Sequence, residues 1–476
     1  MATFQLLNFG CRASQADGAA IKKQLLDSGL QEAEDISASQ VAILNTCTVT
    51  ARADAEVRQL VRRIHRANPL CRILVTGCYA QRAAAEIAQL GGVVWVVGNS
   101  HKHLIADLLR PSQPQEPGVR NQKPEAIGRS PLAQIEQGRA TATPCKGTAD
   151  PFLVPDTKPR AAATPILLVG EIGDEFHFAP VFPDDRTCPT LKIQDGCNAR
   201  CSFCVIPTVR GRSRSLPPLQ VVEQVRELEQ RGYKEIVLSG INLGSYGRDI
   251  GRGITFLSLL ERLLAETAIV RLRISSIEPM DVSSALIGLV AEEPRVAQHL
   301  HIPLQSGCNR ILRLMSRRYW TSQYAERILA IRERMPNAGL GADVMVGFPG
   351  ETDQDHAASA AFIDSLPFTY LHIFPYSARP HTPAAASPHQ VNGRVAHERA
   401  QEIRSLLARK RETFLQAQVG RELSSVTLHE SEASGHVALS SNYLKIILPS
   451  SKLPPNTLLN IQVERVHQGL LFGSPA

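Results

Sequence analysis

Short apolar segments alternate with longer amphipathic segments through most of this chain, and this alternation limits the possible fold more than any other feature. Between LKIQDG at Leu191 and YLHIFPY at Tyr370, six apolar segments are each followed by a stretch with helical periodicity. Buried parallel strands joined by crossover helices have this pattern. Six such units predict an open (β/α)6 barrel, with its chemistry at the carboxyl ends of the strands. The predicted helices lie near 217–231, 255–267, 281–291, 322–334, 353–365 and 394–417.

The first 110 residues repeat this alternation on a smaller scale. Four segments, FQLLNFG, VAILNT, RILVTG and VVWVVGN, are predicted to be strands of one parallel sheet. Helices are expected near 16–28, 53–66 and 81–90. The sequence therefore predicts a small α/β domain before the barrel.

A chain of 476 residues is too long for one ordinary core, so several domains are expected. The α/β domain covers 1–110 and the barrel covers 188–419. Between them, 111–187 is Pro-rich and is predicted to be a largely disordered insertion, with one or two short strands in 165–183. Short apolar runs in 420–476 predict a small all-β module. The fold class is thus α/β with a β module at the end.

The composition indicates the compartment in which the protein is expected and the kind of chemistry its cysteines support. No apolar run reaches the roughly 18 residues of a membrane span, and the first thirty residues lack the layout of a signal peptide, so a cytoplasmic protein with no membrane partner is expected. Ten cysteines are too few for a disulfide framework, and clustered thiols in a reducing compartment indicate metal binding or catalysis. The net charge of +7 is a mild indication of a polyanionic partner.

Three cysteines stand close together in QDGCNARCSFCVIP, on the loop after the first barrel strand. These are Cys197, Cys201 and Cys204, the barrel triplet. A zinc site would require a fourth ligand nearby, and Cys188, nine residues upstream of Cys197 with Pro189 following it, is poorly placed to supply one. A [4Fe–4S] cluster held by three thiolates keeps one iron open for another ligand.

The barrel triplet in this position closely resembles the cysteine motif of the radical S-adenosylmethionine (SAM) enzymes. The resemblance implies that the amino acid end of SAM chelates the open iron. It also implies that one electron from the cluster cleaves SAM to a 5′-deoxyadenosyl radical. Polar residues and glycine at the strand ends are candidates for holding SAM, although each has a structural role at the barrel rim as its alternative. The candidates are Gly240, Asn242, Glu278, Gln305 and Asp343.

Three further cysteines each follow an apolar strand of the N-terminal domain. They are Cys11, Cys47 and Cys78, the N-terminal triplet. Parallel strands deliver their carboxyl ends to one edge of a sheet, so the three thiols can converge there. Three buried structural cysteines are the alternative. Small polar and glycine neighbours are typical of loop tips and favour a second cluster.

This arrangement of two triplets and a terminal β module resembles the methylthiotransferase family. The resemblance covers nearly all the chain except the insertion. The matching stretches include SGINLGSYG, RISSIEP, HIPLQSG, GFPGET and FPYSARPHTPAA. It implies two [4Fe–4S] clusters, the first of which supplies or carries sulfur, and SAM used both as methyl donor and as radical source. An electron donor such as flavodoxin or ferredoxin and a sulfur donor are also implied.

The residues around two of the N-terminal cysteines, NTCTVTARADAEVRQLVRR and VTGCYAQ, look like the MtaB branch of this family. That branch modifies C2 of N6-threonylcarbamoyladenosine at position 37 of tRNA. Three alternatives stay open: the same chemistry on isopentenyladenosine-37, the same chemistry on a ribosomal-protein aspartate, and a two-cluster electron-transfer protein.

Runs of arginine fit a tRNA partner, and no DNA partner is expected. Phosphate contacts supply much of the affinity for a nucleic acid, here the anticodon stem-loop. Solvated surface is the alternative for any single run. The terminal module resembles the RNA-binding TRAM domain but is sparse in Lys and Arg. The predicted RNA-binding residues are Arg58, Arg62, Arg66, Arg210, Arg212 and Arg214.

Overall fold

A computed structural model of the chain describes residues 2–110, 164–173, 187–432, 435–449 and 453–476. Most of the predicted disordered insertion, and Cys145 within it, lies outside these residues. No helix in the described ranges has the length and apolar character needed to cross a bilayer.

The N-terminal domain is one parallel sheet of six strands in the order β2-β1-β3-β4-β5-β6, with helices on both faces. Apolar side chains of both sheet faces form two separate cores under these helices. The last strand follows the insertion in sequence, within the segment predicted to hold short strands. The strands are β1 (Thr3–Asn8), β2 (Gln31–Glu32), β3 (Val41–Thr46), β4 (Arg72–Gly77), β5 (Val93–Val97) and β6 (Ile166–Leu168). The helices are α1 (Arg12–Asp27), α2 (Ala51–Ala67), α3 (Cys78–Ala88) and α4 (Ile105–Leu109).

The central domain has six parallel strands around one large apolar core, as predicted. Two three-stranded sheets, β11-β10-β7 and β12-β13-β14, are linked by isolated parallel bridges such as the one between Ser276 and His301. The strands are β7 (Thr190–Lys192), β10 (Glu235–Ser239), β11 (Arg271–Ile274), β12 (His299–His301), β13 (Gly339–Val346) and β14 (Tyr370–Pro375). Between β7 and β10 lie two short paired strands, β8 (Gln194–Asp195) and β9 (Arg214–Ser215).

The barrel helices lie close to their predicted positions. The helix predicted at 353–365 begins at Asp353, as expected, because Thr352 and Asp355 form a capping box. The Thr352 hydroxyl accepts a hydrogen bond from the Asp355 backbone, and the Asp355 carboxylate accepts one from the Thr352 backbone. Two short helices, α5 and α9, were not predicted. The helices are α5 (Ile206–Arg210), α6 (Pro218–Gln230), α7 (Phe256–Glu266), α8 (Ser284–Glu292), α9 (Asn309–Leu314), α10 (Thr321–Arg334), α11 (Asp353–Ser365) and α12 (Gly393–Gln416).

The terminal module is a closed barrel in the order β15-β16-β17-β19-β18. It docks on the central domain through the buried guanidinium of Arg273, which donates to the carbonyls of Ser440 and Ser441, each at 3.0 Å. Glu235 accepts from the same guanidinium at 2.6 Å, so the charge is paired inside the interface. The strands are β15 (Glu422–Glu432), β16 (Gly435–Ser440), β17 (Lys445–Leu448), β18 (Leu458–His467) and β19 (Leu470–Pro475).

Candidate functional site

The N-terminal triplet lies at the carboxyl edge of the first sheet. Cys11 precedes α1, Cys47 directly follows β3, and Cys78 is the first residue of α3. Gly10, with a φ of 100°, lets the first loop approach closely: a Cβ there would lie 2.8 Å from the Cys47 sulfur. Loop geometry therefore brings cysteines that are far apart in sequence to one edge.

The electrostatics of Cys47 show that the three thiols are neighbours. Burial first, and then the nearby Cys11 and Cys78, raise the pKa of Cys47 to about 12. Thiolates repel one another in this setting, so three of them are stable together only when a cation neutralises them. Polar donors already point at one sulfur: Arg210 Nε lies 3.2 Å and Asn99 Nδ2 lies 3.5 Å from Cys78 Sγ.

Arg210 connects the two domains at this point. Its guanidinium is 2% exposed and donates to Asp195 of the barrel at 3.0 and 3.1 Å. It also donates to Asp17 at 3.1 Å and to Ser14 at 3.2 Å, both on α1. Lys192 bridges the same two carboxylates. A buried ionic network thus fixes the N-terminal triplet against the barrel rim.

The charges in this network are well compensated. Burial alone raises the pKa of Asp17, but the cations Lys102, Lys192 and Arg210 hold it well below its usual range. The pKa of Asp195 is lowered in the same way by Arg210 and Lys192, against the effect of burial. Both carboxylates therefore stay ionised at neutral pH.

The barrel triplet lies on the loop between β8 and α5, at the carboxyl end of the first barrel strands. Backbone amides are directed at two of its sulfurs: Ala199 N is 3.3 Å from Cys197 Sγ and Ile206 N is 3.4 Å from Cys204 Sγ. Arg317 Nη1 is 3.5 Å from the Cys201 sulfur. Hydrogen bonds to sulfur stabilise cluster thiolates, so this donor set fits a [4Fe–4S] cluster.

Burial disfavours the thiolate form of two cysteines in the barrel triplet. Burial raises the pKa of Cys204 to about 12 and raises that of Cys197 as well. Among the described residues, no three Cys, His, Asp or Glu side chains are already arranged as a metal site. Thiols bind iron as thiolates, so a cluster held here would displace the protons of Cys197 and Cys204. The assignment of the six ligands remains a prediction.

Cys188 is placed apart from the barrel triplet. It precedes β7, whereas the triplet follows the carboxyl end of that strand. Burial and the nearby Glu235 carboxylate raise its pKa, and Arg273 lies beside it. Cys71 is also distant from both triplets: it is 2% exposed and its sulfur lies 3.7 Å from the Ser39 hydroxyl. Neither residue joins a triplet.

The predicted SAM residues lie along the carboxyl rim of the barrel. Gly240 follows β10, where a Cβ would lie 2.9 Å from Gln194 Oε1. Asn242 Nδ2 is 4.0 Å from the Cys197 sulfur, and Asn242 Oδ1 is buried without a hydrogen-bond partner in the described chain. Gln305 Oε1 is likewise buried and unpartnered there, and its φ is 64°. Two unsatisfied acceptors on the barrel rim, one of them beside Cys197, fit a bound polar ligand.

Two of the five SAM candidates already have polar side-chain partners. Glu278 pairs with Arg317, which also reaches the Cys201 sulfur, so its carboxylate helps to orient that arginine. Asp343 Oδ1 lies 3.2 Å from His301 Nε2 inside the barrel. Their roles toward SAM stay predictions.

The predicted RNA-binding arginines divide into three groups. Arg62, Arg66 and Arg212 are exposed, as RNA binding requires. Arg58 donates to the Tyr79 hydroxyl and to Glu86, each at 2.8 Å.

Arg210 and Arg214 are only 2% and 6% exposed, so the prediction that they bind RNA is wrong. Arg210 is paired with buried carboxylates, and Arg214 donates to the carbonyls of Gly173 and Arg210, each at 2.7 Å. Neither guanidinium can reach a phosphate on the surface.

Several residues at the domain boundary were missed by sequence reasoning. Asp54 on α2 accepts from Arg379 at 2.7 Å and from Arg82 at 2.8 Å, next to the loop that carries Cys47. Arg379 comes from FPYSARPHTPAA, near the end of the barrel. The sequence pointed to Arg379 in one way only, because this residue lies in a stretch that resembles the methylthiotransferases. Asp17 carried no signal, since it stands alone in a helix.

Two family models match the chain. The radical SAM superfamily matches residues 191–363, which hold the barrel triplet. The uncharacterized protein family UPF0004 matches residues 3–98, which hold the N-terminal triplet.

Curated relatives cover almost the whole chain. The threonylcarbamoyladenosine tRNA methylthiotransferase MtaB of Aquifex aeolicus is 33% identical over 440 residues, which is 92% of this chain and 94% of that protein. The protein of the same name from Bacillus subtilis is 33% identical over 95% of this chain and 91% of its own length. A tRNA-2-methylthio-N(6)-dimethylallyladenosine synthase of Pelotomaculum thermopropionicum is 32% identical, with 85% and 81% covered.

A solved structure supports the fold. The radical SAM methyltransferase TsrM from Kitasatospora setae, determined with cobalamin and a [4Fe–4S] cluster, superposes with a TM-score of 0.52. The alignment covers 81% of this chain and 77% of TsrM at 16% identity. At that identity the likeness concerns architecture alone.

Proposed function

The chain belongs to the MtaB-type methylthiotransferases of the radical SAM superfamily, and from this membership we propose that it methylthiolates C2 of N6-threonylcarbamoyladenosine at position 37 of tRNA. The alignment with this chain covers 94% and 91% of the two MtaB proteins from Aquifex aeolicus and Bacillus subtilis, but 81% of the dimethylallyladenosine synthase. The observation that carries the proposal is the presence of two thiol triplets on two domains that Arg210 joins, through Cys78 on one side and Asp195 on the other.

The enzyme uses SAM and [4Fe–4S] clusters, and we propose that each triplet holds one cluster. When bound, the clusters and SAM supply the electron, the radical and the methylthio group for an aromatic C–H bond that no acid–base pair can activate. The residues of this chain orient those groups. Arg210 holds the N-terminal triplet against the barrel rim, while Asn242 and Gln305 offer free acceptors where SAM is expected.

Other partners follow from this chemistry. Radical formation consumes an electron and methylthiolation consumes a sulfur atom, so we propose a flavodoxin- or ferredoxin-type electron donor and a separate sulfur donor. Position 37 lies in the anticodon loop, where an unpaired base can be splayed into a pocket. The site of action is then the cytoplasm, where mature tRNA is available.

The proposal is tested with the full-length protein, reconstituted without oxygen and given SAM, dithionite, sodium sulfide as the sulfur source, and synthetic anticodon stem-loops. We expect 5′-deoxyadenosine together with the 2-methylthio product on the loop that carries threonylcarbamoyladenosine. A product on the isopentenyladenosine loop alone would move the protein to the other tRNA branch. A reaction without any 5′-deoxyadenosine would refute radical SAM chemistry.

The exposed members of the predicted RNA-binding arginines give a further prediction. We expect the triple variant Arg62→Gln, Arg66→Gln and Arg212→Gln to weaken tRNA binding by about tenfold or more, with the slope of log Kd against log salt reduced by about one for each lost phosphate contact. Equilibrium binding between 50 and 200 mM salt, roughly the range where phosphate contacts are resolved, measures both effects.

Arg226→Gln serves as the control because this arginine lies on α6 at the outside of the barrel and donates to the Glu266 carbonyl. It should leave both affinity and salt slope unchanged. Equal weakening by the control and the triple variant would mean that general charge, and not this surface, binds tRNA.

A further inference from the structure

A group of polar aromatic side chains inside the barrel is not used by either thiol triplet. The His299 Nε2 atom lies 2.7 Å and the His301 Nδ1 atom 3.1 Å from the Tyr370 hydroxyl. The His372 ring packs edge-on against His301 and Tyr370, with centroids 5.3 and 5.5 Å apart. We call His299, His301, Tyr370 and His372 the histidine pocket. It is built from β12 and β14, on either side of β13.

Arg12 of the N-terminal domain reaches this pocket. Its Nη2 donates to the Tyr443 hydroxyl of the terminal module at 2.9 Å, and the Tyr443 ring is stacked on His299 at 4.3 Å. After burial and Arg273, the positive charge of Arg12 lowers the pKa of His299. All three domains therefore contribute a side chain to one site.

The Arg12 guanidinium is incompletely satisfied. Its Nη1 is buried and has no hydrogen-bond partner in the described part of the chain, and no carboxylate there lies within ion-pair distance of Arg12. His299, 1% exposed, also has an unpartnered ring nitrogen, Nδ1. A half-buried guanidinium with one buried, unpartnered nitrogen is suited to an anionic ligand.

The histidine pocket is open to ligands on one side. His372 is exposed whereas His299 is buried, so these contacting rings extend from the interior to the protein surface. Desolvation, followed by His301, lowers the pKa of His372. A neutral imidazole there can donate one hydrogen bond to an acceptor. The histidine pocket therefore combines the guanidinium of Arg12 with neutral polar rings.

The histidine pocket lies between the two proposed cofactor sites. Arg12 directly follows Cys11 of the N-terminal triplet. On the other side, the backbone N–H of Gln305, a SAM candidate, donates to the Asp343 carbonyl at 2.8 Å, and the Asp343 carboxylate contacts His301. A ligand in the pocket is adjacent to both places where the reaction needs it.

We propose that Arg12, together with His372, binds the carboxylate of the threonyl group of N6-threonylcarbamoyladenosine and so selects this base. The inference rests on the proposed function and deepens it. A guanidinium binds a carboxylate with two parallel hydrogen bonds. A base with an apolar N6 substituent leaves the cation unpaired and is rejected for that reason. In the adenine ring N1 separates C2 from the carbon that carries N6, so a base anchored through its N6 substituent can still present C2 to the reacting groups.

The test compares two anticodon stem-loops that differ at one group: threonylcarbamoyladenosine with its free carboxylate, and the same base as the methyl ester. For the wild-type protein we expect the ester to lower kcat/KM for methylthiolation by about 10- to 100-fold, the size of a lost hydrogen bond between charged groups. Arg12→Gln should lower kcat/KM for the acid by a similar factor and react with both loops alike. Arg12→Lys should keep part of the preference for the acid.

Two further variants separate this role from damage to a cluster. Iron content and SAM cleavage without RNA are measured for every variant, because Arg12 adjoins Cys11. His372→Gln alters the histidine pocket from β14, far in sequence from any proposed cluster ligand, and should reduce the preference for the acid by about three- to tenfold, the size of a lost neutral hydrogen bond. Arg226→Gln should behave as wild type.

Each outcome decides between the two claims. A wild-type protein that methylthiolates acid and ester loops equally well overturns the carboxylate site and leaves the proposed function standing. The same follows if Arg12→Gln keeps the wild-type preference with full iron content. If Arg12→Gln loses iron, two other results decide whether the carboxylate site exists: the comparison of acid and ester loops with the wild-type protein, and the preference of His372→Gln for the acid. A wild-type protein that forms 5′-deoxyadenosine but modifies neither loop contradicts the proposed function itself.

Discussion

We expect Cys204→Ala to abolish the formation of 5′-deoxyadenosine and Cys71→Ala to leave it at the wild-type level. Cys204 belongs to the barrel triplet, and a cluster with two thiolates does not hold the SAM-binding iron in place. Cys71 lies in the core of the N-terminal domain, where its loss leaves a small cavity and costs about 1 kcal/mol of stability. The product is measured by chromatography after anaerobic incubation with SAM and dithionite.

The N-terminal triplet should respond differently to the same assay. Cys47→Ala is expected to remove the methylthio product while 5′-deoxyadenosine still forms, because the proposed radical source in the barrel keeps its three ligands. Iron content should fall by half in either cluster variant and stay unchanged in Cys71→Ala. Equal loss of 5′-deoxyadenosine in Cys204→Ala and Cys71→Ala would make the ligand assignment untenable.

We expect Arg210→Met to destabilise the protein by about 3–5 kcal/mol and to halve its iron content. The change leaves the Asp17 and Asp195 carboxylates buried with fewer cations, and breaking a buried ion pair has a cost of this size. It also removes the donor at 3.2 Å from the Cys78 sulfur. Urea unfolding gives the stability, and iron analysis with EPR of the reduced protein gives the cluster content.

The pH dependence has a definite sign. The folded-state pKa of both Asp17 and Asp195 lies below its ordinary value, so the network stabilises the protein above the unfolded pKa of about 3.9 and loses this effect as the pH falls further. Without Arg210 the two pKa values rise, and the acid-unfolding midpoint should move to higher pH.

Arg214→Met is the matched control for Arg210→Met. Arg214 is also buried, but it donates to the carbonyls of Gly173 and Arg210. This variant should lose less stability, keep its iron and unfold in acid as wild type does. If both arginine variants lose iron equally, burial in general, and not the contact with Cys78, supports the N-terminal cluster.

The repeated units of the fold could be predicted from the sequence because their pattern is local. Strand–helix alternation predicted the barrel, and α11 was predicted at 353–365 to the residue. The short helices α5 and α9 were missed because five or six residues are too few to establish a helical period. Strand β6 has only three residues and reaches its sheet from beyond the insertion, so its partner could not be predicted.

Candidate site residues could be proposed from the sequence where they stand in a recognisable motif. Residues whose role depends on a partner far away in the sequence could not. Six cysteines stand in motifs that can be read directly. Arg210 was read as surface because RGRSRS is a typical basic run. Its buried partner Asp17 is 193 residues away in sequence and gives no local sign of the pairing. The role of Arg12 was missed for the same reason, because the side chains that it contacts lie in the barrel and the terminal module.

The nucleoside profile of cellular tRNA tests the central claim most directly, because it reports substrate and reaction together. Total tRNA is digested from a strain that lacks the gene, and from the same strain carrying either the wild-type gene or the Cys47→Ala gene. We predict that 2-methylthio-N6-threonylcarbamoyladenosine is absent without the gene, returns with the wild type and does not return with Cys47→Ala. Persistence of this nucleoside in the strain without the gene, with loss of the isopentenyl analogue instead, would contradict the account.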